Sequence, residues 1–175
     1  MNDEKNDELV IGILSDTHIP SRGPNIPQEI IKDFKEKDID FLFHLGDFTQ
    51  AKVYSDLIEL FGKDKVIAIA GNMDDNELSK SLPSSRDLTL YGYKIFLTHG
   101  FGGPKGVIRR LNNHYDLSQY DIVVFGHIHK PVNKKKDKIL YINPGSPTDK
   151  RFTDVNTYGI LRLSEIKADF NLIYL

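Results

Sequence analysis

Cysteine is absent from this 175-residue chain. Its absence excludes disulfides, thiolate nucleophiles and the cysteine-rich structural zinc sites. Long apolar runs are missing too; none approaches the ~20 residues that a membrane-spanning helix needs. Charge of one sign is not in excess. Twenty-three Lys and Arg against 25 Asp and Glu leave a net charge of −2, so there is no strong nucleic-acid-binding patch and no basic field toward a membrane. The first residues, MNDEKNDE, are polar and acidic, unlike a secretory signal. These absences point to a cytoplasmic protein. The 39% hydrophobic and 27% charged residues fit a soluble globular chain, long enough for one domain with a buried core.

The patterning predicts a polar, disordered tail over residues 1–8 and a single domain over 9–175. Leu9–Leu14 is apolar except at Gly12, as a strand covered on both faces would be. Helical spacing over Ile26–Lys37, a strand at Phe41–Leu45, a helix at Lys52–Phe61 and a strand at Val66–Ala70 follow. That order is the mark of βαβ units and a parallel sheet. The second half changes character. Leu88–Leu90 and Lys94–Thr98 flank a turn at Tyr91-Gly92-Tyr93, a helix is expected over Pro104–Tyr115, and Ile122–Phe125 reads as a buried strand. Ile139–Ile142, Thr157–Leu163 and Asp169–Tyr174 read as three strands joined by turns, giving a more antiparallel second sheet. The expected fold class is α/β: a four-layer sandwich of two packed mixed β-sheets flanked by helices.

Five polar motifs directly follow, or close, these strand-like runs: Asp16-Thr17-His18, Gly46-Asp47, Gly71-Asn72, Thr98-His99-Gly100 and Gly126-His127-Ile128-His129. Open α/β sheets place their sites at strand C-termini. Asp16, His18, Asp47, Asn72, His99, His127 and His129 would therefore converge on one edge, and a metal centre explains such a set. In extended backbone, residues two apart share a side, so Asp16 with His18, and His127 with His129, are each expected to grip one cation. Mixed His, Asp and Asn ligation suits Mn²⁺, Fe²⁺, Co²⁺, Ni²⁺ or Zn²⁺ better than Mg²⁺ or Ca²⁺.

Each motif alone is weak, since a lone GD or GN dipeptide is usually a turn. In this order the set resembles the calcineurin-like metallophosphoesterase superfamily, whose pattern runs D-x-H, G-D, G-N, H, G-H-x-H. The compact size, Ile19-Pro20-Ser21-Arg22 and Asn143-Pro144-Gly145-Ser146 resemble its compact bacterial and archaeal phosphodiesterase branch. The resemblance implies a metal-dependent hydrolase of phosphoric esters with two divalent transition-metal ions, Mn²⁺ first. Asp16, His18, Asp47 and His129 would hold one ion; Asp47, Asn72, His99 and His127 would hold the other. Asp47, Asn72 and His99 would be the catalytic core. Two cations ~3.5–4 Å apart share a hydroxide and clamp phosphoryl oxygens for in-line displacement. The expected partner is a small phosphodiester substrate, with a homo-oligomer left open.

One departure matters: larger members carry histidine after the GN, where this chain has Met73, then Asp74 and Asp75. The identity of any general acid is thereby put in question. Two divalent cations, two ligand carboxylates and a hydroxide leave one positive charge, which a phosphodiester would neutralise. That favours diesters unless Arg22, Lys105, Lys150 or Arg151 reaches the site.

Several residues have blander readings. His44, inside a strand, reads as a buried hydrogen-bonding neighbour of the site rather than a ligand, and His114 as surface. Asp74 could orient a ligand, while Asp75 and Asn76 could equally cap a helix. Gly100–Gly106 matches neither a Rossmann fingerprint nor a P-loop; it is a loop near the site or a tight turn. Lys134-Lys135-Lys136 with Lys138 reads as the solvated turn of a hairpin. Asn143–Ser146 should fold close to the metals, with Ser146 as a substrate contact. Three other functions compete: a phosphomonoesterase or pyrophosphate-bond hydrolase, a protein-binding scaffold like the retromer subunit that shares this fold, and redox chemistry at a di-iron site. The retromer subunit has lost several ligand positions that are all kept here, and the Glu-x-x-His helices of di-iron sites are missing.

Overall fold

The computed structural model describes residues 8–175. The expected tail at residues 1–7 lies outside the described residues. Glu8, expected in that tail, opens the first strand, where its carboxylate pairs with Arg162 at 3.0 Å.

Strand β1 (Glu8–Leu14), helix α1 (Gln28–Glu36), strand β2 (Phe41–His44), helix α2 (Ala51–Phe61) and strand β3 (Val66–Ala68) form the first βαβαβ run. β1 pairs parallel to β2, and β2 to β3. α3 (Asn76–Ser81) follows. Its N-cap is Asp75, which accepts from the Glu77 and Leu78 N–H groups, while its other oxygen takes the Ala51 N–H at the start of α2. Asp75 is thus the cap, and Asn76 is the first helical residue.

β4 (Ser85–Leu90) and β5 (Tyr93–Thr98) are the expected hairpin, turned through Tyr91 and Gly92, both at positive φ. α4 (Val107–His114) starts three residues later than Pro104, because Gly106 caps it in the left-handed region. β6 (Ile122–Phe125), β7 (Val132–Lys136) and β8 (Ile139–Asn143) complete the second sheet. β7 corrects the expectation of a lysine-rich turn: Lys134, Lys135 and Lys136 are strand residues, and the turn is Asp137-Lys138. Their side chains are exposed on an edge strand, where lysine discourages edge-to-edge pairing.

The last two strands, β9 (Thr157–Ser164) and β10 (Ala168–Tyr174), return to the first sheet rather than the second. Its order is β10-β9-β1-β2-β3; the other runs β4-β5-β6-β8-β7. Both are mixed, since β9 is antiparallel to β1 while β5–β6 and β6–β8 are parallel. Side chains alternating on the strands separate three apolar layers. Ile11, Ile13 and Phe43 meet Ile95, Leu97 and Val124 between the sheets. Leu14 and Leu42 meet Ile30, Phe34 and Leu57 beneath α1 and α2. Val123 and Phe125 meet Val107 and Leu111 beneath α4. Burying each such side chain stabilises the fold by about 1.5–3 kcal/mol. The result is the expected α/β/β/α sandwich. No helix among the described residues is long and apolar enough to cross a membrane.

Candidate metal centre

The turns after β1, β2, β3, β5 and β6 meet at one edge of the sandwich. Backbone hydrogen bonds stitch them: Asp16 N–H to Gly46 O at 3.0 Å, His18 N–H to Asp47 O at 2.9 Å, and Gly126 N–H to His99 O at 3.0 Å. The approach of the β2 and β3 turns depends on glycine, because a Cβ on Gly71 would overlap the Asp47 backbone nitrogen and Oδ1. Asp74 fastens the same two turns, accepting from Gly71 N–H (2.7 Å), Asp47 N–H (3.2 Å) and Thr49 N–H (2.9 Å).

The seven sequence-predicted residues come together in two groups. In the first, His18 Nε2 lies 3.1 Å from His129 Nε2. Asp16 Oδ1 is 3.3 Å from His129 Nε2 and 4.0 Å from His18 Nε2. Ligand atoms of Asp16, His18, Asp47 and His129 all fall within 4.8 Å of one another, and all four residues are buried. In the second, Asn72 Oδ1 is 2.8 Å from His127 Nδ1 and 3.2 Å from His99 Nε2, with those two nitrogens 3.3 Å apart. Asp47 stands between: its Oδ2 is 3.5 Å from His18 Nε2 and 3.4 Å from His99 Nε2.

Two expectations need correction. Asp16, His18, His127 and His129 are not extended; all four, with Asp47, have φ between 45° and 69°, in the left-handed region. His127 and His129 also do not grip one point, since His127 faces Asn72 and His99 while His129 faces His18. Left-handed backbone at a non-glycine residue costs of order 1–3 kcal/mol and persists where the surroundings enforce it. Five of the nine such residues described are these ligand candidates. The donor chemistry fits a divalent transition metal: imidazole nitrogens and carboxylate oxygens face one another at the spacing of a coordination shell ~2.0–2.2 Å in radius.

Charge and tautomers support that use. His99 Nδ1 donates to the Leu45 carbonyl at 2.5 Å, leaving Nε2 for the group. Burial would lower the His99 pKa, but the Asp47 hydrogen bond and the Asp16 and Asp47 charges lift it to about 9. Burial would raise the Asp47 carboxyl; its His99 contact and the Met73 N–H, at 2.7 Å, bring it below the usual range instead. Burial also lowers His18 and His127, which favours neutral imidazoles.

His44 is a neighbour, as expected: fully buried, 3.2 Å from Thr17 Oγ1 and stacked on Phe48. His114 is exposed. Ser146 is buried, donates to Asp16 O at 2.7 Å and accepts from Asp149 N–H at 2.9 Å. It shapes the loop around Asp16 and does not line the pocket. Asp149 is the residue that sequence reasoning missed. It is buried, and its Oδ2 lies 3.1 Å from His129 Nδ1, a charge contact rather than a straight hydrogen bond. Arg151 Nη2 reaches it at 2.7 Å and Arg22 Nε at 3.4 Å. Against burial, the Arg151 hydrogen bonds hold Asp149 down at about 2. A pocket of about 390 Å³ opens over the two groups; Arg22, Arg151, Met73, Phe152 and the Gly102–Pro104 loop line it, whereas Lys105 and Lys150 do not.

Residues 9–165 match the calcineurin-like phosphoesterase superfamily domain. The chain belongs to that superfamily. A relative from Methanothermobacter thermautotrophicus, named "Probable metallophosphoesterase", is 32% identical over 165 residues, 94% of this chain and 92% of that protein. An archaeal phosphodiesterase of known structure has a TM-score of 0.74 at 28% identity, covering 95% of this chain and 100% of its own. Vps29 of Entamoeba histolytica, solved with zinc, has a TM-score of 0.76 at 21% identity over 95% and 99% of the two chains; that likeness shows the fold alone. The calcineurin-like chain is a metal-dependent phosphoric ester hydrolase.

Proposed function

We propose that the chain hydrolyses phosphodiesters at a binuclear centre of divalent transition-metal ions, Mn²⁺ first. One observation carries the reading: a single carboxylate oxygen, Asp47 Oδ2, lies about equally far from the histidines of both donor groups. Asp16, His18 and His129 would hold one ion, Asn72, His99 and His127 the other, and Asp47 both. When bound, such a pair supplies Lewis acidity toward phosphoryl oxygens and acidifies a water enough to act as nucleophile near neutral pH.

The rest falls to this chain's side chains. His99 is oriented by its hydrogen bond to the Leu45 carbonyl, and the Asp149 carboxylate sets a negative charge 3.1 Å from His129 Nδ1. Met73, after Asn72, has no proton to give, so the departing alkoxide or aryloxide leaves without help from that position. The diester reading rests on the likeness to phosphodiesterases. Net charge no longer supports it by itself: Arg22 and Arg151 line the pocket against one Asp149, which adds one positive charge. That observation favours a phosphomonoesterase as the second reading.

Elemental analysis of reconstituted protein and matched p-nitrophenyl mono- and diesters test the proposal together. Two ions per chain, loss of turnover on chelation and a higher kcat/KM for the diester are expected. Asp47→Asn should lose both ions and more activity than any other single ligand change. One ion or none, or wild-type turnover in Asp47→Asn at saturating metal, would refute the bridging role. A clear monoester preference would refute the diester reading.

A further inference from the structure

Phe152 is 59% exposed yet lines the pocket. A lone exposed apolar side chain is ordinary, but this ring is held in place. The His129 ring meets it at 89°, with centroids 5.1 Å apart. The Arg151 guanidinium lies over the ring, 5.3 Å from its centroid. Arg151 is itself fixed on the buried Asp149 carboxylate through Nε at 2.9 Å and Nη2 at 2.7 Å. A chain of contacts thus runs from a buried carboxylate, through a guanidinium, to an aromatic ring beside a metal-ligand histidine. Folding gains little apolar burial from a ring left so exposed. What the arrangement provides is a fixed flat wall in a cavity of ligand size. Met73, 56% exposed, lines the same cavity beside Asn72 of the other donor group. Apolar surface therefore flanks both donor groups.

We infer that Phe152 determines specificity, stacking on a planar aromatic substituent, an aryl group or a nucleobase, of an ester whose phosphate sits on the metal centre. The inference rests on the metal-centre reading above and names the substrate class of that site. Stacking of a base on an aromatic side chain corresponds to ~5–150-fold in affinity.

Calorimetry on the manganese-loaded protein tests this without turnover, because a phosphonate offers no P–O–C bond to cleave. Phenylphosphonate is compared with methylphosphonate, and the methylene phosphonate analogue of adenosine 5′-phosphate with the matching analogue of methyl riboside 5-phosphate, so the aromatic ring is the main difference within each pair. The expected result is a ring preference of ~5–150-fold in at least one pair, lost in Phe152→Ala and kept in Phe152→Trp. Preference in the first pair only identifies a small aryl group; preference in the second identifies a nucleobase. Anions that bind with no ring preference, or a preference unchanged in Phe152→Ala, overturn this inference alone. Failure of every anion to bind overturns the metal-centre reading and this inference with it.

Discussion

Gly71→Ala probes whether the site depends on two backbone turns touching. The added Cβ would overlap Asp47 N and Oδ1 and come within 2.9 Å of Asp47 Cγ, where carbon pairs settle at ~3.5–4.0 Å. No rotamer relieves the clash with the Asp47 backbone nitrogen, well inside van der Waals contact, so the turns must separate by roughly 1–1.5 Å to restore ordinary contact. Asp47 cannot follow without leaving its partners, because Met73 N–H holds Oδ1 and the His18 and His99 nitrogens sit around Oδ2. Overpacking of this kind costs about 1–3 kcal/mol, and each kcal/mol lowers Tm by roughly 2–4 °C in a chain of this size. A misplacement near 1 Å costs about 10²-fold in rate. Gly23→Ala is the control, since its Cβ would meet nothing nearer than Thr148 Cγ2 at an ordinary 3.5 Å; its stability should stay within about 0.5 kcal/mol of wild type. Thermal unfolding of the metal-free protein and kcat/KM toward bis(p-nitrophenyl) phosphate at saturating Mn²⁺ read the two effects. A Gly71→Ala protein within twofold of wild-type turnover, with unchanged Tm, would refute the dependence on close approach.

Asp149→Asn should weaken metal binding at the His129 group by ~10–100-fold, as loss of an outer-shell carboxylate beside a ligand histidine does; a competitive chelator titration showing wild-type affinity would contradict this. Because the Asp149 pKa is depressed to about 2 from 3.8, its stabilisation is present above pH 3.8 and disappears as pH falls toward 2, and the Asn variant should lack that segment of the acid-unfolding curve. His99, raised from 6.5 to about 9 in the metal-free protein, stabilises the fold below pH 6.5 and loses that contribution as pH climbs through 9. A cation must displace the His99 proton, so metal affinity should rise up to about tenfold per pH unit between pH 7 and 8.5, with proton uptake by the buffer visible in calorimetry; pH-independent affinity would exclude His99 as a ligand. With Met73 in place of a proton-donating histidine, aryl diesters should outrun alkyl diesters by at least ~10²–10⁴-fold, and a shallow dependence on leaving-group acidity would reveal a general acid elsewhere.

Apolar runs ending in polar motifs determined much of this protein before any tertiary contact was known. A short apolar run bounded by turn signals reads as a covered strand, and parallel pairing within each sheet sets Asp16, Asp47 and Asn72 on one edge and His99 and His127 on another; the packing of the two sheets joins those edges. Local pattern could not say how they meet. Asp16, His18, Asp47, His127 and His129 take left-handed backbone because neighbouring turns bond to them, and that is a property of the assembled edge. Nor could spacing divide His127 from His129, which the Asn72 and His18 side chains separate. β7 escaped notice because an edge strand of lysines buries almost nothing and leaves no apolar period. β9 and β10 were legible as strands, but their sheet was not, since antiparallel pairing with β1 joins opposite ends of the chain. Asp149 and Phe152 lie in a loop with no periodicity at all. Their roles arise from contacts with His129 and Arg151, and only folding brings a loop so far along the chain onto a histidine after β6. Ligand identity is written in residue type and strand position; ligand orientation and the substrate wall depend on which distant segments pack beside them.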